Sequence, residues 1–155
     1  MKYKMTSLSV SHKGVTLFRI EATKDFANVK AGELGGFVET YANLSQDGDS
    51  WIAERAMVLG NARVRDNAVV SGNAIVADNA EIYGNAKVFN DAKVYNHAKV
   101  YDNARVQDKA QVFNEGQVYG DAHVRGEVKV FGSAKVFGTA KLAGCRSIIS
   151  REIGS

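Results

Sequence analysis

Three histidines, one cysteine and a recurring Lys-Val-aromatic triplet carry the chemistry this chain can offer. Histidine titrates near neutral pH, so His97 and His123 are the candidate general bases, while His12 is expected to be solvated in a turn. The triplets Lys93-Val-Tyr95, Lys99-Val-Tyr101 and Lys135-Val-Phe137 set a cation beside an aromatic ring. That pairing suits an anionic, aromatic ligand, which a ring can stack on and a cation can neutralise. Cys145 is the only cysteine, which excludes an intramolecular disulfide and fits a reducing compartment. The Walker-type phosphate loop, the Gly-x-Ser-x-Gly elbow and a dinucleotide fingerprint ahead of a helix do not occur.

The elements that position these residues follow from a short repeat. From Arg55 to Gly144 one six-residue unit returns fifteen times without insertion, most plainly as Asn-Ala-Lys-Val-Phe-Asn at 85–90. Such a period marks a solenoid. In each unit a small residue and an aliphatic one stand two apart, as in Ala62/Val64 or Ala92/Val94, so both face one side of a short strand. The second residue after each valine is always Gly, Asn or Asp, from Gly60 and Asp66 to Gly144. Those residues tolerate positive φ, so each strand ends in a sharp corner. Three strand-and-corner units close a triangular coil of eighteen residues, and residues eighteen apart stack at about 4.8 Å. Counting by sixes from Ile52 to Ile148 gives seventeen rungs, nearly six coils.

The fold class expected is all-β: a triangular parallel β-helix whose N-terminal β-hairpin covers one end of the prism. Small-x-aliphatic hexads resemble those of the hexapeptide-repeat proteins, and that resemblance implies a left-handed helix. The hand rests on resemblance alone, because the general rule for parallel crossovers points the other way. Residues 1–34 form the expected hairpin cap, with strands Tyr3–Val10 and Val15–Ala22 around a turn at 11–14. Residues 35–149 form the solenoid, and 150–155 a short C-terminal tail. From Leu44 to Ile52 the step is eight rather than six, so Ser45-Gln-Asp-Gly48 enlarges one corner.

The leader block Leu17-Phe-Arg-Ile20, Asp25-Phe26, Lys30–Glu39 and Asn43–Gly48 resembles that of a bacterial and phage group of hexapeptide-repeat proteins. Members of that group are often labelled transferases. Its relatives imply a homotrimer and, by analogy, an acyltransferase whose base would be His97 or His123 at a subunit boundary. Carbonic anhydrases of related fold use three converging histidines, which the spacing of His97 and His123 does not offer. His97 takes a corner place near Asn79 and Glu115. His123 points outward between Arg105 and Lys141, whose charges lower its pKa.

The remaining outward positions sort into three columns. One reads Arg65, Tyr83, Tyr101, Tyr119, Phe137; the second Leu59, Ala77, Tyr95, Phe113, Phe131, Ile149; the third Ala53, Ser71, Phe89, Gln107, Arg125, Ala143. The aromatic stripes admit self-stacking, burial between subunits, or ligand stacking, with subunit burial the favoured reading. The candidate interface is Tyr83, Tyr101, Phe113, Tyr119, Phe131 and Phe137. The candidate ligand set is Lys93, Tyr95, Lys99, Tyr101, Tyr119, Arg125 and Lys135. The outward bases read first as solvated lysines that protect strand edges, and second as an anion-binding face.

The function expected is therefore non-catalytic binding of a small anionic or nucleotide-like ligand, or of a partner protein. Capture of a host defence signal by a phage protein is one concrete form. The alternatives are the acyltransferase and a structural assembly part. No cofactor or metal is expected, and nucleic acid is not an expected partner because acidic corners repel a long phosphate backbone. Without an apolar N-terminal run, neither a signal peptide nor a membrane span is expected. The expected location is cytoplasmic, in the host if the chain is phage-encoded.

Overall fold

In the computed structural model, which describes residues 1–154, the hexads fold as a parallel β-solenoid of about six turns. Three sheets of nine, six and six strands form its faces. The third face stacks Ile52, Val70, Val88, Val106, Val124 and Leu142 in strict register. The first face runs through Val38, Val58, Val76, Val94, Val112, Val130 and Ile148. The second runs through Leu44, Val64, Ile82, Val100, Val118 and Val136. These side chains and the alanines beside them are sealed from solvent and form one continuous core.

The corners behave as their composition requires. All fifteen Gly, Asn and Asp positions from Gly60 to Gly144 have positive φ, between 54° and 81°. The Asn and Asp side chains also tie coil to coil. Asp78 Oδ2 accepts from the Asn96 backbone N–H at 2.9 Å, and Asn96 Oδ1 from that of Asn114 at 3.1 Å. Asp66, Asp102 and Asp108 do the same for Gly84, Gly120 and Gly126, each at 3.0 Å. These corner acids therefore satisfy backbone donors that the turn would otherwise leave to water.

The N-terminal segment forms β1 (Tyr3–His12) and β2 (Val15–Ala22), paired antiparallel through Lys13-Gly14. The ladder runs two residues beyond the expected strand end, because Lys13 (φ 49°) and Gly14 (φ 81°) alone supply the two positive-φ positions of a tight hairpin turn. β2 then pairs antiparallel with β3 (Leu34–Val38), and β3 runs parallel to Met57–Val58. The hairpin thus extends the first face as well as closing the end of the prism. Tyr3, Ile20 and Ala22 join the main core, whereas Leu17 packs with Phe37 and Leu59 in a second cluster flanked by Val15, Met57, Ile75 and Ala77. The hairpin tip therefore lies over the outside of the first face.

The enlarged corner of the first coil is held from the N-terminus. Gln46 Oε1 accepts from the backbone N–H groups of Lys2 and Tyr3 at 2.8 and 3.2 Å. Lys2 is buried, and its Nζ donates to the Ser50 carbonyl at 2.7 Å and the Gly48 carbonyl at 3.3 Å. At the other end the chain returns to the sheet after the last coil, and Ser155 of the expected tail lies outside the described residues. Glu152–Ile153 pair in parallel with Lys135 and Val136, adding a rung to the second face. No helix among the described residues is long and apolar enough to cross a membrane.

Candidate functional site

The seven candidate ligand residues divide among all three faces. Lys93 and Tyr95 stand on the first, Lys99, Tyr101, Tyr119 and Lys135 on the second, and Arg125 on the third. A prism cannot bring them into one site. The six candidate interface residues likewise split, with Phe113 and Phe131 on the first face and Tyr83, Tyr101, Tyr119 and Phe137 on the second.

On the second face the rings cover one another. Tyr83 and Tyr101 stack with centroids 4.9 Å apart and planes within 1°, Tyr101 and Tyr119 at 4.9 Å and 4°, Tyr119 and Phe137 at 5.3 Å and 12°. The Arg65 guanidinium closes one end, 4.1 Å from the Tyr83 centroid, and the backbone of Gly154 packs on Phe137 at the other. Register stacking at the β-spacing produces this column directly. Ring edges remain for contact while ring faces are occupied. The Tyr101 hydroxyl donates to Gln117 Oε1 at 3.0 Å, and burial, with Tyr83 and Tyr119 beside it, pushes its pKa up to about 12. Beside the column, Lys99 pairs with Glu81 at 3.8 Å.

On the first face the column is interrupted. Tyr95 stacks on Phe113 at 5.0 Å and Phe113 on Phe131 at 4.8 Å. One coil before Tyr95 the same position is Ala77, whose methyl leaves the other side of the Tyr95 ring uncovered by any ring. The hairpin tip overhangs this gap. The result is a cleft of about 390 Å³ with Leu59, Ile75 and Ala77 as floor and Tyr95 as wall. His12, Lys13, Lys93, Asp78 and Gln111 supply its polar groups. The Tyr95 hydroxyl donates to Gln111 Oε1 at 3.1 Å, which fixes the ring plane. Burial first, and then the Asp78 carboxylate, raise the Tyr95 pKa, so the phenol stays neutral. His12 is half-buried at this cleft rather than solvated in a turn, because the ladder carries it past the expected strand end.

The other two histidines stand apart from it. His97 is exposed on the corner between the first and second faces, lining an open groove with Asp78, Asn96, Asn114 and Glu115. Among the described residues no histidine ring is hydrogen-bonded to a carboxylate. His123 pairs in register between Arg105 and Lys141. Its pKa is lowered, by burial first and then by Arg105, Lys141 and Arg125, against a smaller opposing effect of Asp121. The exposed Cys145 thiol donates to Glu127 Oε2 at 2.9 Å, a bond that raises its pKa and disfavours a reactive thiolate. No group of three or more His, Cys, Asp or Glu among the described residues is placed to hold a metal ion.

The cleft escapes a sequence reading in one respect. Lys93 and Tyr95 are visible as a triplet, but the hairpin's contribution of His12 and Lys13 depends on where β2 docks. The signal that exists is Ala77 itself, the small residue in an otherwise bulky column.

A family model described as the YdcK beta solenoid repeat matches residues 98–113, a stretch shorter than one coil. That match agrees with the architecture and supports a β-solenoid repeat protein. No curated protein matches the chain.

Proposed function

We propose that this β-solenoid is a non-catalytic binding protein whose site is the cleft under the hairpin tip. Its ligand is a small anionic aromatic molecule of the nucleotide-like class. The observation that carries this is the break in the first-face column: the uncovered side of Tyr95 faces a gap over Ala77, with Lys13, His12 and Lys93 around it. A planar base inserted there would continue the stack, replacing the ring that Ala77 lacks. Its phosphate would lie toward the cations at the rim. The volume of about 390 Å³ falls in the range of small-molecule sites. Sequestration of such a ligand needs no base and no nucleophile, which suits a cleft whose tyrosine is held neutral. The hexapeptide-repeat kinship, the homotrimer and the cytoplasmic setting belong to the same proposal.

The test is calorimetric titration with adenine and guanine mono- and dinucleotides, with coenzyme A alongside. Base-on-ring stacking is worth about 1–3 kcal/mol, so Tyr95→Ala should weaken nucleotide binding by roughly 5- to 150-fold. Ala77→Phe should abolish it by filling the gap. Failure of every nucleotide to bind would overturn the proposal. So would coenzyme A turnover lost in His97→Ala or His123→Ala, which would move the chain to the acyltransferases.

A further inference from the structure

The third face carries a charge pattern that the other two avoid. In the outward column of the second face the residues run Arg63, Glu81, Lys99, Gln117, Lys135, Glu152, so each base has an acid or amide beside it. The first face separates Lys93 from Lys129 by Gln111. On the third face the register stacks Lys87, Arg105, His123 and Lys141 without a break, and Arg125 stands in the adjoining column. Lys87, Arg105, Arg125 and Lys141 are exposed, and none forms an ion pair among the described residues. Like charges directly opposite on a sheet are destabilising, so folding alone does not favour this ladder.

The acids near this face stand at its two rims and not in its outward column. Asp91, Asp102, Asp108, Asp121 and Glu127 stand at the corners. Of these, Asp102 and Asp108 accept the Gly120 and Gly126 N–H groups, Asp121 accepts from Asn103, and Glu127 from Cys145. The cations on the face also outweigh Asp121 in their effect on His123. The centre of the face is therefore a positive line: Lys87, Arg105 and Lys141 stand in the column, and Arg125 supplies the charge on the rung where His123 is held neutral.

We infer that the third face binds a linear acidic polysaccharide laid along the rod axis, its carboxylates or sulfates meeting the cations of the ladder. An extended acidic polysaccharide carries anions at intervals along its whole length and offers hydroxyls between them, which suits a row of cations flanked by amide and hydroxyl groups. Gln107 and Ser71 on the same face offer hydrogen bonds to sugar hydroxyls. Nucleic acid fits less well. Duplex phosphates recur at about 3.4 Å per strand. A single strand asks for successive stacking rings, and with Trp51 buried against Phe26 the ladder region of this face offers Phe89. The surface is separate from the first-face cleft and does not depend on it.

The experiment titrates the full chain with polygalacturonate and heparin, against neutral dextran and poly(dT), at low and high salt. Polygalacturonate or heparin should bind, weakening as salt rises, while dextran does not. Arg105→Glu, which copies the alternation of the second face, should weaken binding by at least roughly tenfold, since it both removes and inverts a central charge. Its melting temperature should equal or exceed that of the unmodified chain, because it relieves repulsion. Lys141→Gln, at the end of the ladder, gives a second measure should Arg105→Glu fold poorly. Absence of binding by both polyanions, tighter binding of poly(dT), or unchanged affinity in both variants would each overturn the inference.

Discussion

Lys2 should give the N-terminal end of the rod a stability that rises with pH through the alkaline range. The residue is 1% exposed, and its ammonium lies 5.1 Å from the Phe26 centroid and meets neutral acceptors at Ser50 and Gly48. Burial lowers its pKa from 10.5 to about 8, against smaller raising effects of Asp49 and Asp47. Between those two values the unfolded chain holds a proton that the folded chain has released, so stability increases with pH there. Below pH 8 both states are protonated and the dependence vanishes. The full shift corresponds to about 3 kcal/mol, of which about 2 kcal/mol is gained by pH 9.5. Two groups oppose the trend. The raised thiol of Cys145 is removed by working in a Cys145→Ser background. The tyrosines, of which Tyr3 is raised by burial and Tyr101 to about 12, make stability fall above pH 10 and set the upper limit of the window. Trp51, the single tryptophan, packs against Phe26 at 5.3 Å and reports unfolding of this end by fluorescence. Urea midpoints should climb from pH 7.5 to 9.5 in the Cys145→Ser chain and stay flat in Cys145→Ser/Lys2→Met. Parallel profiles for the two would refute a desolvated ammonium at this position.

Asp78→Ala should destabilise by about 2 kcal/mol in urea unfolding, since it leaves the Asn96 N–H to water and puts at φ 61° a residue that tolerates the left-handed region less well than aspartate. Asp78→Gly should lose less, because glycine keeps the turn and forfeits only the bond. Tyr101→Ala should lower stability by about 3 kcal/mol by opening a hole between Tyr83 and Tyr119. Ultraviolet pH titration should show a tyrosine population that ionises only near pH 12, as the stacked Tyr101 requires. Light scattering at micromolar concentration tests the homotrimer, which a monomer mass would exclude.

The solenoid was legible because each of its contacts is a repeat of itself. An alanine and a valine two apart, followed by a residue that accepts positive φ, determine a strand and a corner without reference to distant chain, and the eighteen-residue period then places Val88 on Val70. The same arithmetic located both aromatic columns, yet it left open what would cover them. Ring-on-ring contact needs only identical rotamers one rung apart, and the 1° angle between Tyr83 and Tyr101 shows that condition met within one chain. What escaped were the places where the period fails. Ile153 stands seventeen residues after Val136 instead of eighteen, so its rung has no hexad signature although its pairing is regular. Nothing in the hexad pattern marks Lys2, and its burial follows from contacts with Gln46, Gly48 and Ser50 at and just after the enlarged corner. The hairpin tip reaches Ala77 only because β2 joins β3 antiparallel and Leu17 then finds Phe37 and Leu59. A perfect repeat makes every rung equivalent and so provides long surfaces rather than enclosed ones. Enclosure on this molecule requires a non-repeating segment laid against the repeat, and the hairpin over the gap at Ala77 supplies it for the cleft.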